Sequence, residues 1–118
     1  MLIRHLGLTV RDPQRSADFY RTTVGLDAEP HDEPWGVRLD LPDGFMVALI
    51  QGDPLPADVA GRVHFGSAVA GPERAREMRE RLRAAGVREI EWEDSETYVG
   101  VKFEDPDGYV VELYCDIG

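Results

Sequence analysis

Residues 37–50, VRLDLPDGFMVALI, and residues 101–114, VKFEDPDGYVVELY, decide how this chain folds. Set one above the other at an offset of 64, they agree in chemical type at nearly every position. Each consists of two alternating apolar runs around Pro-Asp-Gly. Proline presets its own backbone angle and glycine accepts the left-handed one, so each copy reads as a β-hairpin. The likeness extends outward from there. His5-Leu6 with Val10 lies over His64-Phe65 with Val69, at an offset of 59, so the second copy carries about five extra residues between its helix and its hairpin. Asp12-Pro13 opens a helix with Asp as N-cap and Pro as first helical residue. Its stripe is Ala17, Tyr20 and Val24, and Gly25 ends it. Pro72 opens the second helix, whose stripe is Ala75, Met78, Leu82 and Ala85, and Gly86 closes it. Strand-like segments at 87–92 and 99–104 lead into the second hairpin. The stretch from Gly25 to Gly36, rich in Pro and Asp, reads as irregular.

An internal repeat must be recognised before any fold is assigned. Here each copy reads β-α-β-β-β, which makes the chain α+β, with one module at about 2–50, a linker at 51–62 carrying Gly52, Pro54, Pro56 and Gly61, and a second module at about 63–115. Neither half is long enough to bury a core alone, so residues 1–118 are expected to form a single domain.

Composition narrows the partners. The formal charge is −10, from 23 acidic against 13 basic residues, which argues against nucleic acid or an anionic membrane surface. The longest apolar runs are strand-sized, well below the roughly 18 residues of a membrane helix. Met1 to His5 shows no basic leader before an apolar stretch, so no signal peptide is expected. A single cysteine, Cys115, excludes an intramolecular disulfide and fits a reducing cytoplasm, with a buried, inert thiol as the expectation.

The duplication relates residues that would otherwise look scattered. His5 and His64 hold the same place in the first strand of each copy, and Glu112 stands where the first copy has Ala48. Strand alternation then sets their direction. Val111 and Leu113 must face the helix, which turns Glu112 the other way with Val110 and Tyr114. Leu6 and Leu8 take the helix side and leave His5 opposite. Val63, Phe65 and Val69 do the same for His64. A carboxylate in an apolar strand is costly unless it is paired, exposed or bound to a cation. Two imidazoles and that carboxylate, all turned to the open face, form a candidate metal site.

The run HLGLTVRD at 5–12, followed by Arg15-Ser16, Phe19-Tyr20 and Gly25-Leu26, resembles the start of vicinal oxygen chelate proteins. These form the glyoxalase, bleomycin-resistance and extradiol-dioxygenase group. The run FEDPDGYVVEL at 103–113 is similar to that group's end, where the last Glu is a metal ligand. The resemblance covers nearly the whole chain. It implies paired βαβββ modules forming a cupped mixed sheet around a divalent cation held by His5, His64 and Glu112. It also implies a homodimer in which each site draws its first histidine from one chain and the other ligands from its partner. Glyoxalase I and methylmalonyl-CoA epimerase relatives carry a fourth ligand where Ala48 stands, which weakens both assignments here. Two His and one Glu are the set of extradiol dioxygenases and of fosfomycin-modifying thiol transferases. The latter carry anion-binding residues beyond the last strand, which the likeness does not reach.

The resemblance therefore implies a small cytoplasmic metalloenzyme acting on a small oxygen-chelating substrate. Fe²⁺ or Mn²⁺ comes first as the ion, with Zn²⁺, Ni²⁺ or Co²⁺ as alternatives. Dioxygenase-like chemistry suits the ligand set best, lyase or isomerase chemistry comes next, and a drug-binding protein of the bleomycin-resistance type is the rival class. Arg38 and Lys102 are duplicates of each other, expected on the open face as a positive rim for an anionic substrate. Tyr98 and Tyr114 are candidate acid/base or substrate-contact residues. Trp35 and Met46 are candidates for the apolar lining. His31, in the acidic, Pro-rich stretch, is expected at the surface with no duplicate.

Overall fold

The computed structural model describes all of residues 1–118. The chain divides into two compact units, Met1–Leu55 and Pro56–Gly118. Each carries one β-α-β-β-β module with a four-stranded sheet of mixed direction.

In the first unit, strands β1 (His5–Val10), β2 (Glu29–Glu33), β3 (Gly36–Asp40) and β4 (Met46–Gln51) lie in the order β1-β4-β3-β2. β1 runs parallel to β4, and the other pairs are antiparallel. Helix α1 (Pro13–Asp18) starts as the sequence predicts, with the Asp12 carboxylate accepting from the N–H of Arg15 at 3.1 Å. It runs on into a wider π-helical turn at Phe19–Thr23, where the N–H of Val24 donates to the carbonyl of Phe19 at 2.9 Å. Gly25, with φ of 82°, then reverses the chain. The predicted stripe Ala17, Tyr20 and Val24 is buried, as are Leu8, Val10, Val37, Leu39, Val47 and Leu49 from the helix-facing side of the sheet.

β2 corrects the reading of 26–35 as irregular. Its sequence, EPHDE, has no apolar alternation, and it forms because β3 offers an unpaired edge. Pro30 is tolerated there because an edge strand needs only half of its backbone groups in the ladder.

In the second unit, β5 (His64–Ala68), β6 (Glu89–Asp94), β7 (Tyr98–Glu104) and β8 (Val110–Asp116) repeat the topology in the order β5-β8-β7-β6, with β5 parallel to β8. A single turn of helix, α2 (Ala57–Ala60), interrupts the stretch expected to be linker. Helix α3 (Pro72–Ala84) buries Ala75, Met78 and Leu82 against a sheet face built from Val99, Val101, Phe103, Val111 and Leu113. Forked ion pairs join it to β6. Arg76 meets both carboxylate oxygens of Asp94 at 2.9 Å. Arg79 meets Glu89 at 2.7 and 3.2 Å while stacking over Trp92 at 4.5 Å. Val63, expected on the helix side, precedes the strand and is 47% exposed.

The two hairpin turns are alike. Gly44 and Gly108 adopt φ of 88° and 90°, and the N–H of each donates back three residues, to Leu41 and Asp105. They differ in one respect. Asp105 is buried and its carboxylate accepts from the N–H groups of Asp107 and Tyr109, each at 2.9 Å, whereas Leu41 holds that place in the first copy. There the exposed Asp43 carboxylate serves Phe45 alone. Asp105→Ala strands two backbone donors and is expected to cost about 1–3 kcal/mol in urea unfolding. Asp43→Ala should cost no more than about 1 kcal/mol, and equal losses would contradict this account of the turns.

Candidate metal centre

Strand register carries the duplication down to single residue pairs. In the second unit Gly66 opposes Glu112, Glu112 opposes Lys102, and Lys102 opposes Glu91, making one row across β5, β8, β7 and β6. In the first unit the corresponding row is Gly7, Ala48, Arg38 and His31. His31 therefore does have a counterpart, Glu91. Sequence reading missed this because β2 showed no strand pattern.

On the open face of the second unit, His64 Nε2 lies 3.7 Å from Glu112 Oε2, with the His64 side chain 51% and the Glu112 side chain 15% exposed. Alternation puts Glu112 there, since Val111 and Leu113 on either side are buried. Burial pushes the Glu112 carboxyl above the usual carboxylate range. Nearby His64 opposes that shift, and the like charges of Glu91 and Glu93 add to it. Glu91 and Glu93 share this face because Trp92 between them turns to α3, a signal that alternation could have supplied. Lys102 Nζ sits 3.5 Å from Glu91 Oε2. The rings of Tyr98 and Tyr114 lie near-parallel beside this group, with centroids 6.0 Å apart.

The open face of the first unit holds His5, exposed at the start of β1 opposite Met46, and Ala48. Arg38 reaches Glu33 at 3.0 Å and Asp40 at 3.1 Å. Its Nε is buried and lies off the hydrogen-bond direction to Asp40, so that contact is ionic only. His31 Nε2 approaches the other oxygen of Asp40 at 3.2 Å. Trp35 sits at the β2–β3 turn, about a third exposed. Arg38 and Lys102, expected as a positive rim, are each already met by acids of their own unit. A cleft of about 460 Å³ opens elsewhere in this unit, lined by Arg11, Asp12, Gln14, Asp32, Glu33 and Gln51, and holds none of the predicted site residues.

The donors fit a divalent ion in part. Two ligand atoms at about 2.0–2.2 Å from one ion stand about 3–4 Å apart, which is the separation of His64 and Glu112. No three His, Cys, Asp or Glu side chains of the chain converge on one point. His5 belongs to the other compact unit.

The family model of the Glyoxalase/Bleomycin resistance protein/Dioxygenase superfamily matches residues 2–113. No curated protein sequence matches the chain. Among solved structures, a glyoxalase/dioxygenase from Nostoc punctiforme superposes with a TM-score of 0.80 at 22% identity, over 98% of this chain and 90% of that one. A possible glyoxalase from Bacillus cereus gives 0.79 at 24% identity, over 98% and 99%. A variant of the fosfomycin resistance protein FosX from Listeria monocytogenes, crystallised with Mn(II) and 1S,2S-dihydroxypropylphosphonic acid, gives 0.78 at 20% identity, over 98% and 90%. These likenesses show a shared fold.

The raised Glu112 pKa has a definite pH signature. The folded chain holds that proton at a higher pH than the unfolded chain does. Without metal, Glu112 therefore costs stability increasingly as pH rises through its raised pKa, and costs nothing below the ordinary carboxylate range. In chelator-treated protein, Glu112→Gln is expected to raise the melting temperature by a few degrees at neutral pH. The gain should shrink to nothing by about pH 4, and a pH-independent difference would show that burial is not the cause.

Proposed function

This chain belongs to the glyoxalase/bleomycin resistance protein/dioxygenase superfamily, and we propose that it is a small metalloenzyme holding a divalent cation on His64, Glu112 and His5. The observation that carries this reading is the His64–Glu112 pair. It sets an imidazole and a carboxylate 3.7 Å apart, with the carboxylate desolvated and crowded by Glu91 and Glu93. A bound cation would relieve that cost, as protonation of the carboxyl does. His5 enters as the duplicate of His64. A second copy of the chain supplies it in our reading, so the protein acts as a homodimer with shared sites, and its two modules work as one cytoplasmic domain.

A bound ion, Fe²⁺ or Mn²⁺ first and Zn²⁺, Ni²⁺ or Co²⁺ next, would hold two vicinal oxygens of a small substrate and stabilise a developing enolate or oxyanion. Three protein ligands leave coordination positions open, which suits dioxygenase-like chemistry. Ala48, where a fourth ligand would stand, places lyase or isomerase chemistry of the glyoxalase kind second. Arg38 and Lys102 hold an anionic group of the substrate by exchanging their carboxylate partners for it. Trp35 and Met46 line the apolar part. Tyr98 and Tyr114 contact the substrate or move a proton at its oxygens.

The rival reading is a binding protein that sequesters its ligand without chemistry.

Metal analysis of protein purified without chelator separates the two. Near-stoichiometric metal is expected in the wild type, with at least about a tenfold loss of affinity in Glu112→Ala and His64→Ala. His5→Ala and Glu112→Ala chains, each deficient alone, should regain Mn(II) binding when co-expressed, because a mixed dimer rebuilds one complete site. A metal-free wild type would favour the binding protein, and failure of complementation would exclude shared sites.

A further inference from the structure

One residue out of step in β6 decides where Lys102 puts its charge. At the start of that strand Glu89 opposes Phe103, and an unbroken ladder would set Ile90 against Lys102. A bulge falls between Glu89 and Glu91 instead, so Glu91 is the residue that opposes Lys102. Bulges re-aim side chains in this way. The extra residue, Ile90, is left exposed, and Glu91 turns to the open face while Glu89 stays with Arg79 of α3. β2, the equivalent edge strand of the first unit, pairs with β3 in unbroken register.

Lys102 therefore has a carboxylate directly across from it on both sides, Glu112 on β8 and Glu91 on β6. Side chains directly opposed across a ladder stand about 4.5–5.5 Å apart at Cβ, so the long, flexible stem of a lysine reaches either one. Coulomb attraction alone favours Glu112, whose side chain is 15% exposed against 60% for Glu91, because less water screens it. The ammonium nevertheless sits 3.5 Å from Glu91 Oε2, while the ionic partner of Glu112 is His64. At Glu91 the ammonium keeps more of its water, which offsets the weaker attraction. An ammonium on Glu112 would occupy the carboxylate that a metal ion needs.

We propose that Glu91 is a positioning residue that parks Lys102 and so keeps Glu112 open to a cation. Without Glu91, Lys102 turns to β8 and plugs the site with the chain's own positive charge. The inference rests on the metal reading above and adds to it an internal competitor for the metal.

Mn(II) titrations followed by calorimetry compare the wild type with Glu91→Gln, Lys102→Met and the double variant. Glu91→Gln is expected to weaken Mn(II) binding at least about tenfold, and adding Lys102→Met should restore most of that loss. In the wild-type background Lys102→Met removes only a parked charge and should tighten binding by no more than about threefold. Glu93→Gln controls for charge alone. Glu93 lies on the same face and also repels Glu112, but it opposes Gly100, so its loss should be at most about threefold and indifferent to Lys102. Equal losses in Glu91→Gln and Glu93→Gln, or additive effects of Glu91→Gln and Lys102→Met, overturn the proposal. A wild type that takes up no Mn(II) overturns the metal reading instead. Urea unfolding of metal-free protein then decides the parking role. Lys102→Met and Glu112→Gln should be coupled in the Glu91→Gln background and additive in the wild type, and the same result in both backgrounds excludes it.

Discussion

The structure depends on the parallel pairing of the first and last strands of each module. Because β1 lies in register with β4, and β5 with β8, side chains opposite one another share a face. A slip of one residue in β8 would carry Glu112 into the layer of Val99, Val101 and Phe103 and bring Val111 and Leu113 to the open side. Several local features prevent it. The glycines of the two turns set the start of β4 and β8, and the helical stripes demand the apolar parity. The paired rows Gly7-Ala48-Arg38-His31 and Gly66-Glu112-Lys102-Glu91 follow from that one constraint.

Once register is set, electrostatics shapes the open faces. With carboxylates outnumbering cations 23 to 13, nearly every basic side chain on the sheets meets an acid. Arg38 is held by Glu33 and Asp40, and Lys102 by Glu91. Glu112 is the carboxylate that pays most for its place, since it is the least exposed of the open-face acids engaged in ion pairs and its imidazole partner sits at the long distance of 3.7 Å. The same acidity that disfavours anionic partners at the surface therefore raises the local demand for a cation. A cation held there, as proposed, would offset the cost that Glu112 imposes on the metal-free fold.

The two hairpins, both helices and their capping residues, and the sidedness of His5, His64 and Glu112 were legible because each rests on local rules of turn chemistry, 3.6- or 2-residue periodicity and N-capping. The edge strand β2 was not, because EPHDE has neither alternation nor β-branched residues and owes its form to the edge of β3. With β2 went the equivalence of His31 and Glu91. Glu91 and Glu93 were readable in principle from the parity of Trp92, but the bulge between Glu89 and Glu91 breaks the alternation that would announce them. The engagement of Arg38 by Glu33 and of Lys102 by Glu91 was out of reach, since those acids lie on neighbouring strands whose register no local pattern reveals, whereas Asp40, two residues along β3, shares the parity of Arg38.

What the amino-acid order determined by itself was the repeated module and which residues share a parity, because strand and helix periodicities are properties of consecutive residues. Tertiary structure decided which of those residues are neighbours. It set His64 against Glu112, laid two tyrosine rings over two glycines, and brought Glu33 to Arg38 and Glu91 to Lys102, since lateral strand order and register arise only when separate segments bury their apolar faces together.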